Sequence, residues 1–162
     1  MVTEKDIWQY MEEVADPEIP VISVIDLGVV RKIDLIDQES VNVTITPTYS
    51  GCPAVTAFSI SIRLKLIEKG FKNINVINQL TPTWTTDWMT EEGKQKMKAY
   101  GIAPPVKNPM SDELFSDEQN IECPQCGSHN TRLISQFGST ACKAMYQCND
   151  CHEPFDYFKC HH

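Results

Sequence analysis

The sequence predicts a small α/β (α+β) domain with the order α-β-β-α-β-α, followed by a β-hairpin ribbon stapled through cysteines. Three observations carry this expectation. Apolar residues keep helical or strand spacing up to residue 101. A stretch rich in proline and acids then breaks the pattern. Residues 122–162 hold six of the seven cysteines, four of them in two C-x-x-C pairs. The expected organisation is therefore a domain over residues 1–101, a linker over 102–121 and a ribbon over 122–162.

The elements follow from local chemistry. Thr3 suits an N-cap, and Ile7, Met11 and Val14 follow at i, i+4 and i+7, so a helix is expected over residues 4–15. "DPEIP", residues 16–20, stops it with two prolines. A β-branched run predicts a strand over residues 29–36, and "VNVTITP" alternates as a second, with "DQES" as the turn between them. Residues 53–69 are ambiguous. "FSISIRLKL" alternates like a strand, yet Val55, Phe58, Ile62 and Leu66 share one helical face. Pro53 at the start, Gly70 at the stop and a length of about 17 residues decide for a helix. "NINVINQ" reads as a third strand, which a helical crossover lets pair in parallel with the second. Thr90 caps a last helix ending at Gly101. Residues 102–120 hold three prolines and little periodicity.

Charge narrows the function classes. The net charge is −8. Residues 1–121 carry 11 Lys/Arg against 18 Asp/Glu, and residues 122–162 carry 3 against 4. Neither part is a phosphate-binding surface, so nucleic acid is not an expected partner. The opening "MVTEKDIWQY" lacks an apolar signal core, and no apolar run approaches the ~20 residues that span a bilayer. No membrane association and a cytoplasmic location are expected. In a reducing compartment, clustered cysteines point to metal before disulfide.

Cys123-Pro-Gln-Cys126 and Cys148-Asn-Asp-Cys151 each have the two-residue gap that wraps one tetrahedral ion. The 21 residues between the pairs have room for a β-hairpin. Gly127, just after the first pair, suits a knuckle that needs positive φ. A structural Zn2+ is the expected occupant, with no open position for chemistry. A rubredoxin-like iron site and two redox pairs are the alternatives. Cys142 and Cys160 are left over, as a small buried residue and a tail residue or as members of another ligand set with His152, His161 or His162.

Cys52 raises a different question, because "TPTYSGCPA" places it in a turn. If a helix begins at Pro53, Cys52 is its N-cap. The free N–H groups and the helix dipole there favour a thiolate. Gly51 leaves the sulfur open on one side, and Thr46, Thr48 and Ser50 bring hydroxyls near. Asp16, Glu18 and Asp26 are the carboxylates nearest by motif, although such residues more often stop helices or make turns. The bland alternative is a cysteine that merely caps and is covered.

"DPEIP…VIDLGVV" followed by "TPTYSGCPA" resembles the DUF59 family, also called metal–sulfur cluster assembly factors, over residues 4–101. That resemblance implies a small α/β fold, a role in iron–sulfur assembly, and Cys52 as the functional thiol, with Asp16 and Asp26 to Gly28 at matching motif positions. "TTDWMTEEGKQKMKAYGIAPP", then a ribbon with "FGSTACKAMYQC" and "EPFDYFKCH", is similar to the DUF59-plus-ribbon proteins of phenylacetate degradation. Those accompany a multicomponent monooxygenase that epoxidises the ring of phenylacetyl-CoA. The resemblance implies an accessory, maturing role toward the oxygenase or reductase subunits of that epoxidase, with iron or an iron–sulfur cluster held in transit. The alternative is a structural or regulatory subunit without metal transfer. The residues agree that oxygenase chemistry is elsewhere. There is no Glu-x-x-His di-iron set, no glycine-rich dinucleotide turn, and no histidine in residues 1–101 to pair with Cys52. A symmetric homodimer would set two copies of Cys52 side by side, though nothing in the sequence demands one.

Overall fold

The computed structural model describes residues 1–17, 19–48, 54–82, 84–105, 121–138 and 143–158. Glu18, Ser50, Gly51, Cys52, Pro53, Cys142, Cys160, His161 and His162 lie outside the described residues, as does most of the expected linker. The chain divides into two compact units, Met1–Gly93 and Lys94–His162.

In the first unit, helix α1 spans Glu4–Glu12. Thr3 caps it through a reciprocal box. The Asp6 N–H donates to Thr3 Oγ1 at 3.3 Å, and the Thr3 N–H donates to Asp6 Oδ2 at 2.8 Å. Ile7, Met11 and Val14 are buried. The helix ends three residues before the expected position 15. Beyond Glu12 the backbone is taken by another partner: Asp16 N–H donates to Ile22 O at 2.8 Å, and Val24 N–H donates to Val14 O at 2.9 Å.

Strands β1 (Val30–Asp37) and β2 (Ser40–Ile45) form an antiparallel hairpin, with Ile33 opposite Val43. Helix α2 (Ala54–Glu68) then crosses over to β3 (Asn73–Asn78), which pairs in parallel with β2. The sheet order is β1-β2-β3. Phe58, Ile62 and Leu66 of α2 are buried, each favouring the fold by about 1.5–3 kcal/mol. Ile60, Leu64 and Ile67 lie on the opposite side and are 52%, 61% and 57% exposed. Two apolar faces on one helix produce the strand-like alternation of "FSISIRLKL". The edge strand β3 carries asparagine at 73, 75 and 78, and Arg63 Nη1 donates to its Ile74 carbonyl at 2.9 Å. Both features discourage added strands.

Residues 23–28 make a tight turn. Gly28 has φ +72°, and a Cβ there would lie 2.3 Å from the Trp88 carbonyl oxygen, so only glycine fits. The indole N–H of buried Trp84 donates to Leu27 O at 2.8 Å. Helix α3 (Glu91–Tyr100) starts at its expected cap, with Gly93 N–H donating to Thr90 Oγ1 at 2.9 Å, and stops at Gly101, φ +99°.

The second unit is built on a four-stranded sheet. Its strands are β4 (Ile102–Ala103), β5 (Thr131–Ser135), β6 (Lys143–Cys148) and β7 (Pro154–Phe158), in the order β4-β7-β6-β5. β5, β6 and β7 run antiparallel in turn, and β4 joins β7 in parallel. The hairpin was expected, but β4 was not. Ile102 and Ala103, read as the start of a linker, are buried and pair with Asp156 and Tyr157. The core on one face gathers Ala103, Ile121, Ala144, Tyr146, Phe155 and Tyr157. Tyr146 stacks on Phe155 at 6.0 Å and meets Tyr157 edge-on at 5.6 Å.

Candidate metal centre

Cys123 and Cys126 belong to the turn before β5. Cys148 ends β6, and Cys151 closes the turn into β7. The two turns share a design. Gly127 N–H donates to Cys123 O at 2.9 Å, while Cys123 N–H donates to Ser128 O at 2.8 Å. In the second turn, Cys148 N–H donates to Glu153 O at 3.0 Å. The residue after each pair takes the left-handed conformation: Gly127 at φ +75° and His152 at φ +64°. Glycine does so freely, and histidine under strain.

These turns aim four sulfurs at one point. All four Sγ atoms lie within 4.8 Å of one another. Cys123 Sγ is 3.7 Å from Cys151 Sγ, and Cys126 Sγ is 3.6 Å from Cys148 Sγ. Both separations far exceed a disulfide bond, and the thiols are free. A regular tetrahedron with ~2.3 Å metal–sulfur bonds has edges of about 3.8 Å, so the short separations match that cage. Cys123 and Cys148 are buried, and Cys126 and Cys151 face solvent.

The thiols are also electrostatically in conflict. The Cys151 N–H, 3.5 Å from Cys148 Sγ, and the Asp150 N–H hold the Cys148 thiol down to about 7. The Glu153 N–H pulls the Cys151 thiol down, but partial desolvation and the sulfurs of Cys126, Cys148 and Cys123 prevail, and it is pushed up to about 12. One sulfur ionises readily, and its neighbour resists a second negative charge. A bound cation removes that conflict, since coordinated thiols lose their protons outright. The cluster has the donors and the geometry to hold one metal ion through four sulfurs.

Polar side chains join the two turns. Asp150 accepts from Ser128 Oγ and, at 3.2 Å, from Asn130 Nδ2. Asn149 Nδ2 donates to Asn130 Oδ1 at 3.0 Å, and Asn149 N–H to Asn130 O at 2.8 Å. The hydrogen bonds to Asp150 hold its carboxyl below the usual range. Sequence spacing picked out the four cysteines that the fold brings together but missed this network. Its one visible trace was an Asn-Asp pair inside a C-x-x-C loop.

Of the residues that the sequence groups with Cys52, Asp16, Asp26, Thr46 and Thr48 are described, and all four are buried. Asp16 Oδ1 accepts from Ile19 N–H at 3.0 Å, as a residue at a chain reversal does. Asp26 exchanges hydrogen bonds with Ser23, at 3.1 and 3.0 Å, and its Oδ1 accepts from Thr90 Oγ1 at 3.2 Å. Asp26 thus ties the 23–28 turn to the cap of α3. Thr48 is buried, and Thr46 Oγ1 is buried with no hydrogen-bond partner among the described residues.

Residues 4–68 match the family described as iron–sulfur cluster assembly protein, and residues 107–159 match the PaaD zinc beta ribbon domain. A protein of Escherichia coli K12, named as a putative 1,2-phenylacetyl-CoA epoxidase subunit, is 46% identical over 155 residues, covering 96% of this chain and 92% of that one. The chain belongs to the PaaD family. A second relative of this PaaD-family chain, a Porphyromonas gingivalis protein named Fe-S protein maturation auxiliary factor, is 38% identical over 91 residues, 56% of this chain and 86% of that one. The crystal structure of a DUF59 domain from Bacillus anthracis shares the fold, with a TM-score of 0.54 at 23% identity, covering 58% of this chain and 90% of that one. PaaD-family membership thus joins an assembly-type α/β fold to a zinc ribbon in one chain. Among the described residues, no helix is long and apolar enough to cross a membrane.

Proposed function

We propose that this chain is an accessory maturation factor for the multicomponent phenylacetyl-CoA epoxidase. It assists the loading of iron or an iron–sulfur cluster into an oxygenase or reductase subunit through Cys52, and its ribbon, held by structural Zn2+, docks that client. The observation that carries this is the relative named as part of that epoxidase, matched over nearly the full length of both chains. The match of residues 4–68 to an iron–sulfur assembly family supports the metal-handling half. Zinc is favoured over iron by the family of the ribbon, and a closed four-sulfur cage with no open position suits a structural ion.

Cys52 acts as the transfer thiol in this reading, with Asp16, Glu18, Asp26, Thr48, Ser50 and Gly51 around it. The Thr46 hydroxyl, six residues upstream and buried without a hydrogen-bond partner among the described residues, fits a polar group near that turn. The test is the iron content and activity of the epoxidase matured in cells with the wild-type chain or with Cys52→Ser. An iron-poor, weakly active epoxidase is expected from the serine variant. A fully iron-loaded, active epoxidase would overturn the reading. The second reading, a structural or regulatory subunit, is favoured by the relative's being named a subunit rather than a maturation factor. Co-purification with the oxygenase at fixed stoichiometry, unchanged by Cys52→Ser, distinguishes it.

A further inference from the structure

We propose that Asp150 is a positioning residue for the metal centre, and that its clamp with Ser128, Asn130 and Asn149 sets the rate at which the ribbon loses its metal. The inference rests on the ribbon being a metal site and adds what governs retention there.

Both short sulfur separations join a cysteine of one turn to a cysteine of the other: Cys123 to Cys151 and Cys126 to Cys148. The size of the cage is therefore set by the spacing between the turns. The cysteine pairs themselves are far apart in sequence, and their backbone ties are the end of the β5–β6 ladder and one bond beyond it, from Asn149 N–H to Asn130 O at 2.8 Å. That ladder pairs Thr131 with Cys148 at its last register position, beside the sulfurs. Past that one backbone bond, the turns are joined by the side chains of Ser128, Asn130, Asn149 and Asp150. The Asp150 carboxylate takes Ser128 Oγ on Oδ2 and Asn130 Nδ2 on Oδ1. Asn130 Oδ1 in turn accepts from Asn149 Nδ2. Ser128 Oγ also accepts from Asn130 N–H at 3.1 Å, which fixes the hydroxyl that Asp150 receives. Both links from the Asp150 carboxylate cross between the turns, and each is a hydrogen bond to a charged group, the stronger kind.

A metal leaves a four-thiolate cage when one sulfur swings away and water enters. The clamp opposes that movement without touching the metal. Outer groups of this kind change metal affinity by roughly 10- to 100-fold when removed. The experiment uses the full-length, zinc-loaded chain and follows zinc transfer to a chromophoric chelator, with the Co2+-substituted forms recorded by absorption. Asp150→Ala should release zinc roughly 10-fold faster than wild type, with a tetrahedral Co2+ spectrum still present. Ser128→Ala should fall between, because Asn130 remains on Asp150. Asp150→Asn should recover part of the loss, since its amide can still meet both partners. Release from Asp150→Ala and Ser128→Ala at the wild-type rate overturns the inference. If Asp150→Ala fails to fold, Ser128→Ala and Asn130→Ala carry the test. A wild-type chain that binds neither zinc nor cobalt overturns the metal-site reading itself and this inference with it.

Discussion

Ten of the twelve largest fully buried side chains among the described residues lie in Met1–Gly93, from Ile7 and Met11 to Phe58, Ile62 and Trp84. Lys94–His162 contributes two, Met97 and Ile121. The ribbon's own cluster has eight members, of which two are alanines and two are the metal-facing Cys123 and Cys148. The two units thus solve the same problem differently. The first pays for chain ordering with apolar area from a helix-covered sheet. The second has a thinner core, and two of its cysteines sit in that core and in the sulfur cage at once, so a metal bound there would couple folding to metal. The difference teaches where each unit is expected to be vulnerable: the first to loss of packing, the second to loss of a metal held by its four sulfurs.

The sharpest way to break this contrast is to remove the metal. Structural zinc contributes on the order of 10 kcal/mol or more to small domains of this kind. Strong chelation, or Cys148→Ala, should collapse amide protection in β5, β6 and β7 and leave it intact in β1, β2 and β3. Hydrogen exchange read by mass spectrometry checks this. Equal loss in both units would show that the first depends on the ribbon's metal too.

The reciprocal experiment has the next largest effect. Phe58→Ala removes a fully buried ring from α2 and should cost about 3–5 kcal/mol in the first unit. Zinc content should stay at the wild-type value. A variant that also loses zinc would mean the two units fold as one.

How much of this was legible beforehand differs between the units for physical reasons. In the ribbon the four clustered cysteines could be read from spacing alone, because a two-residue gap lets a turn aim both sulfurs of a pair at one point. The Asp150 clamp could not, because it depends on which polar residues of two distant turns meet. Strand β4 was missed since Ile102 and Ala103 precede two prolines, and only the partner β7 makes a strand of them. In the first unit caps, crossover and parallel pairing followed from Thr3, Thr90 and the order of apolar runs. The early end of α1 did not, because the pairing of residues 14–16 with 22–24 is tertiary. Cys52 stands apart: its turn lies outside the described residues, so its role rests on sequence and family.

A smaller effect tests the capping box on α1. Thr3→Ala should cost the first unit about 1 kcal/mol. The Thr3 hydroxyl and N–H hold the Asp6 carboxyl below its usual range. A carboxyl depressed by folding stabilises above its unfolded pKa, and that share is lost as pH falls through the folded value. Thr3→Ala should therefore move the Asp6 titration, followed by NMR, back up toward the usual carboxylate range and weaken the acid dependence of stability. An unmoved Asp6 would mean that the box is not formed in solution.

The smallest effect comes from the same helix that gave one of the largest. Leu64 is 61% exposed on the face of α2 opposite Phe58, so Leu64→Gln removes little buried area. Glutamine is also a good helix former. The change in unfolding free energy should stay within about 0.5 kcal/mol, as for ordinary surface positions. Denaturant titration of this variant beside Phe58→Ala sets the two apolar faces of α2 against each other. A loss from Leu64→Gln approaching that of Phe58→Ala would mean the outward stripe of Ile60, Leu64 and Ile67 is covered in solution, and the apolar content of α2 would then serve two contacts rather than one.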